Sequence, residues 1–392
     1  MDPNQALAAP FCANKPTTGS VTVRANQLED ELRQYDTQVN HVAQPARKIA
    51  LWRRILGQKA TGGTLQYEPL PTTNLDENLV GWNDQLDPAM PFNFSTAQKW
   101  TWVWLLSAIT FVTPFSSSIL SPALHELSLE FGGVSPIVGS MTVSILLLGY
   151  VVGPIFIAPL SEIYGRRPVL VISNTFFCVW QIGCGLAPNI ETLIISRFFS
   201  GLGGAACLTL GGSIIGDLFR PEQRGFAIGV WNIGPLLGPS IGPLLGGFVT
   251  QTIGWRWEFW IVLILGVPAT AMTAFLTKET SHKVIMHRKT THLQKELNLP
   301  LLKSCYDDAD EKKSTVQTIG AGLLRPLKML VLSPLVFFLS LYIAFVFGVV
   351  YLLYTTIQSV FMEQYGFGAD RIGLIYLALG LGNILGCRKC AL

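Results

Sequence analysis

The sequence carries few charged residues. Only 14% of its 392 residues are Asp, Glu, Lys or Arg, whereas about a quarter is usual in a soluble domain. Hydrophobic residues make up 49% of the chain, and its mean hydropathy is +0.41. This composition excludes an ordinary soluble globular protein and predicts a membrane protein with several spans.

The usual patterns of enzymes and metal sites are also missing. None of the five histidines lies in an apolar run, no Asp or Glu is expected near the middle of the membrane, and the seven cysteines show no paired metal-ligand spacing. There is no Gly-rich phosphate-binding loop with its Lys. We therefore expect no enzyme activity, no metal, no cofactor and no ATP-driven transport. The net charge of +3 is small, so we expect no nucleic-acid partner.

The amino-terminal region, residues 1–98, is polar and has no apolar segment after Met1 that would act as a cleaved signal peptide. Pro, Asn, Gln and Thr are scattered through it. We predict a mostly disordered tail.

From Trp100 onward the sequence consists of apolar runs separated by short polar joints, and each run is about long enough to cross a bilayer as a helix. Eight runs are predicted to be spans: 100–122, 138–158, 168–187, 193–215, 224–248, 257–276, 334–360 and 372–386. The predicted fold class is an all-α membrane protein. It would have a six-span bundle at 99–276, a linker at 277–328 and two further spans within 329–392.

Basic residues are concentrated in the joints on one side of these spans. Arg166, Arg167, Arg220 and Arg224 lie there, together with the long segment 277–328. Because cytoplasmic loops carry an excess of Lys and Arg, we expect the amino terminus and the linker to be cytoplasmic. The expected location is the plasma membrane. The linker is charged between residues 283 and 313, which predicts a mobile connection between two helical bundles.

The most specific motif is the loop between the second and third spans, which reads Pro-Leu-Ser-Glu-Ile-Tyr-Gly-Arg-Arg-Pro. Gly165 permits a sharp turn, and Glu162 could pair with Arg166 and Arg167 at the lipid boundary. The alternative is a simple topological anchor, in which the two arginines only keep the loop cytoplasmic. The loop resembles the signature of the major facilitator superfamily as written in fungal drug:proton antiporters, Pro-Leu-Ser-Glu-x-Tyr-Gly-Arg-Arg-Pro.

Arg197 lies early in the fourth predicted span with apolar residues on both sides. An arginine there is costly unless it faces a cavity or a partner, and the alternative is an interfacial arginine that extends to the lipid headgroups. Its surroundings resemble the family motif Arg-Phe-x-x-Gly-x-Gly, which implies a role in proton coupling. We expect no acidic partner for Arg197 in this chain.

The fifth predicted span contains Gly-Pro pairs at intervals of four residues, which places them on one stripe of a helix. The stripe comprises Gly234, Pro235, Gly238, Pro239, Gly242 and Pro243. Ordinary packing of small residues is the alternative. The stripe resembles the antiporter motif that distinguishes proton-coupled exporters from uptake carriers of this superfamily.

Three further features agree with this resemblance. Asp217 and Arg224 lie in a joint similar to the loop between spans four and five of the family, and they could pair with the Glu162 loop as a cytoplasmic charge lock. The segment Trp-Arg-Trp-Glu-Phe-Trp at 255–260 predicts an aromatic belt at the outer surface. Possible substrate contacts in span seven are Tyr342, Tyr351, Tyr354 and Gln358.

The resemblance implies a twelve-span fold in two halves, whereas this chain reads Cys-Arg-Lys-Cys-Ala-Leu after the eighth span and resembles a truncated product. The predicted function is export of small amphipathic molecules, such as drugs, toxins or polyamines, in exchange for protons. The expected partners are the lipid bilayer, a small-molecule substrate and protons. The alternatives are an uptake carrier of the same superfamily and a truncated membrane protein that does not transport.

Overall fold

The computed structural model describes residues 70–74, 78–307 and 328–365, and Gly382. Ten α-helices lie in this part of the chain: α1 (Thr96–Ser118), α2 (Leu124–Glu130), α3 (Pro136–Tyr164), α4 (Arg166–Gly185), α5 (Ile190–Leu218), α6 (Pro221–Trp231), α7 (Ile233–Ile253), α8 (Arg256–Leu276), α9 (His282–Leu297) and α10 (Pro334–Tyr365). Two short strands, β1 (Leu79–Val80) and β2 (Lys303–Ser304), pair in parallel.

Seven helical segments in the described residues are long and apolar enough to cross a membrane. They are α1 continued through α2, then α3, α4, α5, α6 with α7, α8 and α10. The predicted helical membrane fold is confirmed. The eighth predicted span, 372–386, lies outside the described residues except for Gly382.

The helix ends follow from local sequence. Ser95 starts α1 with a capping box, in which its hydroxyl accepts the Gln98 N–H and the Gln98 side chain accepts the Ser95 N–H. Gly165 separates α3 from α4 with φ of 107°, a backbone conformation that favours glycine. The two arginines that follow it therefore occupy the first turn of α4.

The fifth predicted span is broken into α6 and α7 at Asn232. Pro235 has no N–H to donate to the carbonyl of Trp231, four residues earlier, so the helix cannot continue regularly through this point. The break lies immediately before the first Gly-Pro pair. After the break, Gly234, Gly238, Gly242 and Gly246 face α1 and the residue that follows it.

Glycines also allow α3 and α5 to approach each other closely. A Cβ atom on Gly201 would lie 2.2 Å from the Leu146 carbonyl oxygen, and one on Gly149 would lie 2.5 Å from that of Phe198. Any side chain at these two positions would therefore collide with the facing backbone, and such close approach of two helices is typical of small-residue interfaces between spans. The six-span part is therefore a tightly packed bundle around α5.

Two stretches outside the spans form a small folded unit, which we call the cap: residues 78–94 before α1 and 282–307 after α8. Its apolar centre contains Val80, Trp82, Met90, Met286 and Leu302, each at most 2% exposed. The structure therefore differs from the expected disordered tail and mobile linker at these residues. Residues 1–69 and 308–327, also part of that expectation, lie outside the described residues.

Candidate functional site

Arg197 lies within the bundle on α5, about two turns after Asn189 caps the start of this helix. The side chain is 0% exposed. Its Nη1 donates a hydrogen bond to the Ser116 carbonyl of α1 at 2.7 Å. The guanidinium carbon is 4.8 Å from the ring centre of Phe259 on α8, which is a cation–π distance. These contacts place Arg197 away from lipid, contrary to the interfacial alternative.

A glutamine from a fourth helix completes the polar group around Arg197. Gln181 of α4 is buried, and its Nε2 donates hydrogen bonds of 2.8 Å to the hydroxyls of Ser116 and Ser200. We call Ser116, Gln181, Arg197 and Ser200 the polar centre. It joins α1, α4 and α5 inside the bundle.

Several buried atoms at the polar centre have no hydrogen-bond partner among the described residues. They are Nε and Nη2 of Arg197 and Oε1 of Gln181. Leaving buried polar atoms unpaired costs free energy, so such atoms are uncommon in folded proteins. The centre thus has unused capacity to bind a polar or charged group.

An acid accompanies Arg197, and the expectation that none would do so is wrong. Glu258, in the first turn of α8, is 0% exposed and immediately precedes Phe259, whose ring contacts the Arg197 guanidinium. Its Oε1 accepts a hydrogen bond of 2.6 Å from the Thr250 hydroxyl of α7. The sequence pattern suggested only an aromatic belt here. In the structure, Glu258 precedes the buried Val262 by four residues and so shares its inward face.

A second polar cluster lies at the end of the bundle where α3 meets α4, which we call the basic end. Arg166 pairs with Asp217 of α5, with 3.4 Å between Nε and Oδ2. Its Nη1 also donates to the Ser161 hydroxyl at 2.7 Å. The carboxylate of Glu279, just after α8, accepts the backbone N–H groups of Arg166 at 2.8 Å and Arg167 at 3.3 Å. The loop is therefore tied both to α5 and to the segment after α8.

The other predicted members of the charge lock have different partners. Arg167 donates to the Ala274 carbonyl, and Arg224 donates to the Phe219 and Gly216 carbonyls at 2.9 and 2.7 Å. Arg224 thus binds the carboxyl end of α5, where a cation is favourable.

The expected pairing of Glu162 with the arginines is not what the structure shows. Its side chain is exposed and makes no ion pair within the described ranges. Glu279 lies at the arginines instead. The sequence gives no sign of this role for Glu279, because the residue lies in the polar segment after the sixth predicted span, where the pattern predicts a linker.

The glycines of the Gly-Pro stripe lie against α1. A Cβ on Gly234 would be 2.3 Å from the Ser107 carbonyl oxygen, and one on Gly238 would be 2.7 Å from that of Phe111. A Cβ on Gly242 would be 2.3 Å from the Ser118 hydroxyl. Of the prolines between them, Pro235 and Pro239 are half-buried and Pro243 is buried. The stripe forms a close helix contact that any larger residue would open.

One of the four predicted substrate contacts reaches the bundle interior. Tyr351 of α10 lies with its hydroxyl 3.2 Å from that of Ser117, the neighbour of Ser116. Tyr342 is 67% exposed and does not line this region. The side chains of Tyr354 and Gln358 are outside the part that the structure describes.

Comparisons with known proteins agree with these features. The family model described as Major Facilitator Superfamily matches residues 106–389. The chain is 42% identical over 311 residues to the MFS-type transporter penM of Penicillium rubens, covering 79% of this chain and 61% of that protein. It is 39% identical over 311 residues to the efflux pump radE of Floropilus chiversii, covering 79% and 57%. The chain thus spans about three fifths of the length of these curated relatives.

Solved structures show the same fold at low identity. A bacterial homologue of the human lysosomal transporter Spinster, in an inward-facing and unoccupied conformation, aligns with 72% of this chain and 59% of its own, at 20% identity and a TM-score of 0.51. A proton:xylose symporter aligns with 75% of this chain and 70% of its own, at 16% identity and a TM-score of 0.52. The family match, the transporter fold and the seven apolar helices together show that this multi-pass membrane chain belongs to the Major Facilitator Superfamily, whose members are transporters and not enzymes.

Proposed function

We propose that this chain acts as an exporter of small amphipathic molecules, such as drugs, toxins or polyamines, in exchange for protons. The main evidence is that Arg197 is completely buried and that two of its nitrogens have no hydrogen-bond partner among the described residues. Burying a charged group costs several kcal/mol, and such residues in spanning helices mark ion or substrate pathways. The name of the relative radE, an efflux pump, supports export as the direction.

The proposed orientation places the basic end and the amino terminus in the cytoplasm. Arg166, Arg167 and Arg224 all lie at this end, as the positive-inside rule requires of cytoplasmic loops. The plasma membrane is the proposed location, because an exporter there removes its substrate from the cell. No cofactor and no nucleic acid take part in the proposed cycle.

The cluster at the basic end is proposed to hold the outward-facing state. Arg166 links the start of α4 to Asp217 of α5, and Glu279 links the same turn to the end of α8. While these contacts are intact, the cytoplasmic ends of three helices stay together. Their release would allow the bundle to open inward.

The Gly-Pro stripe is proposed to seal α7 against α1 and prevent proton leak. Its glycines bring the two backbones into direct contact close to the polar centre, since Ser116 and Ser118 both lie on α1. A seal of this kind keeps protons from crossing without substrate, which would dissipate the gradient that drives export.

Vesicle transport tests the function and separates it from both alternatives. The purified chain would be reconstituted into liposomes with an acidic lumen, and rhodamine 6G would be followed by fluorescence. Proton antiport predicts accumulation of the dye in the lumen, abolished by a protonophore and missing from protein-free liposomes. Gradient-driven movement out of the lumen would favour an uptake carrier. Absence of any gradient-dependent movement would favour a chain that does not transport.

A further inference from the structure

The acid beside Arg197 suggests where the proton binds. We propose that Glu258 is the group that takes up the transported proton and that Arg197 responds to its charge. The inference rests on the proposed antiport and names a residue for it.

Both partners are incompletely satisfied in the structure. Oε1 of Glu258 accepts the Thr250 hydroxyl, but Oε2 has no hydrogen-bond partner among the described residues, and neither do Nε and Nη2 of Arg197. Phe259, the residue after Glu258, lies against the Arg197 guanidinium, yet no direct ion pair between Glu258 and Arg197 occurs in the described structure. Since a buried charge is costly without a partner, the pair has two ways to lower its free energy. Arg197 can move towards an ionised Glu258, or Glu258 can be protonated and leave Arg197 free.

Protonation of Glu258 would switch the pair between these two arrangements. When a proton adds to Oε2, the carboxylate becomes a neutral acid, and the attraction that holds Arg197 towards α8 disappears. Arg197 would then keep its bond to the Ser116 carbonyl and its contact with Phe259. Loss of the same proton, released as H⁺, restores the attraction. A ligand that changes the charge of one group can in this way shift the balance between two arrangements.

The position of Glu258 fits uptake from outside the cell. It lies in the first turn of α8, at the end of the bundle opposite the basic end. In the proposed orientation this end faces outward. At the same end of α8, Glu130 of α2 binds the Arg256 guanidinium and the Trp255 indole N–H in an exposed ion pair.

The other ionisable groups around Glu258 are few. Arg197 faces it from α5 and Glu126 from α2, and the Cys184 thiol of α4 lies near Arg197. Thr250 is the contact from α7. Arg197 is the only one of these that carries a positive charge, so the charge state of Glu258 would act chiefly on Arg197.

Infrared difference spectroscopy of the purified chain in lipid nanodiscs tests the proposal directly. Titration of the unmutated protein should produce a carboxylic-acid C=O stretching band from a buried group. Glu258→Gln should lack that band, while Glu126→Gln, the matched control on α2, should retain it. Arg197→Ala should move the pH midpoint of the band, because it removes the charge that faces Glu258. Circular dichroism establishes that each variant is folded, and Thr250→Val offers a second variant that should alter the band frequency while keeping the acid.

An unchanged band in Glu258→Gln, or a band lost equally in Glu126→Gln, would overturn the proposal. The liposome transport assay tests antiport separately. If the unmutated chain shows no gradient-driven dye movement there, antiport itself fails. If the unmutated chain transports with protons and Glu258→Gln still does so with the same pH dependence, antiport stands and the assignment of Glu258 is wrong.

Discussion

Gly246 of α7 lies so close to the Ile119 carbonyl at the end of α1 that a Cβ atom on the glycine would be 2.1 Å from the carbonyl oxygen. A backbone oxygen cannot move aside as a flexible side chain can. Gly246 thus continues the contact made by the Gly-Pro stripe and extends it by one further turn. The distance explains why this helix face is made of glycine.

Gly246→Ala should therefore destabilise the bundle by about 1–3 kcal/mol, the usual cost of overpacking. The measurement is the thermal unfolding midpoint of the purified protein in detergent, which should fall. Gly229→Ala on α6 is the matched control, because nothing in the described structure lies within 4 Å of a Cβ at that position. Equal midpoints for the two variants would contradict the proposed seal.

Glu279→Gln should weaken the basic end. The Glu279 carboxylate accepts four backbone N–H groups, those of Arg166, Arg167, Thr280 and Ser281. Hydrogen bonds to charged groups contribute about 1.5–3 kcal/mol each when buried, and this site is partly exposed, so we expect a loss of about 1–2 kcal/mol from the free energy of unfolding.

The control for that variant is Glu162→Gln, which changes the acid that the sequence pattern predicts as the partner of the two arginines. It should alter the free energy of unfolding by less than about 0.5 kcal/mol, because the side chain is exposed. Chemical denaturation of both variants in the same detergent gives the comparison. A larger effect from Glu162→Gln than from Glu279→Gln would instead support a pairing of Glu162 with Arg166 and Arg167.

Trp82→Ala should unfold the cap. Trp82 is 0% exposed, packs edge-on to His282, and donates its indole N–H to the Tyr306 hydroxyl at 3.1 Å. Removing a buried tryptophan costs roughly 3–5 kcal/mol. Limited proteolysis should then cut within 282–307 much faster. Leu301→Ala, at a side chain that is 73% exposed, should leave the cutting rate unchanged. If the protease cut the unmutated protein within 282–307 as fast as it cuts Trp82→Ala, the segment would be a mobile linker, as the sequence predicts.

The cap should lose stability in acid. Burial lowers the pKa of His282 below its usual value of about 6.5, an effect to which Arg224 adds and which the carbonyl and charge of Asp217 oppose. The unfolded segment therefore binds more protons than the folded one between the two pKa values. The stability that neutral His282 contributes to the cap is fully present above about pH 6.5. It is lost as the pH falls from the pKa of the unfolded state towards the lower pKa of the folded state.

Hydrogen exchange across α9, corrected for the intrinsic rates, measures this effect. Protection should decrease from about pH 7.5 to about pH 5.5. His282→Gln should remove the dependence on pH, whereas His287→Gln should not, since His287 is exposed on the same helix. Protection that is independent of pH in the unmutated protein would show that His282 does not control the cap.

Local sequence patterns predicted the spanning helices because each apolar run has the length of a bilayer and stands apart from its polar joints. They also singled out Arg197 and Arg166, since charges inside or beside such runs are expensive and conspicuous. Contacts between distant segments could not be predicted in this way. The pairing of Val80 with Ser304 joins residues 224 positions apart, and Glu279 reaches Arg166 across 113. Neither leaves a periodic signal in the sequence.

The buried position of Glu258 is not evident from the sequence for a different reason. Tryptophans flank it at 255, 257 and 260, and aromatic residues near a helix end usually indicate a membrane interface. Trp257 fits such an aromatic belt, because its side chain is 49% exposed. Helical periodicity nevertheless turns Glu258 inward while it leaves Trp257 outside. The packing of α8 against α1 and α4 decides which face is buried.

The central claim is that the buried Arg197 couples proton movement to substrate movement. The most direct test compares gradient-driven rhodamine 6G transport by the unmutated protein, Arg197→Ala and Arg197→Lys at equal reconstituted amounts. Arg197→Ala should abolish transport while the protein stays folded. Arg197→Lys should restore only part of it, because an ammonium group lacks the planar arrangement of donors that a guanidinium has. Transport by Arg197→Ala at the unmutated rate would contradict the account.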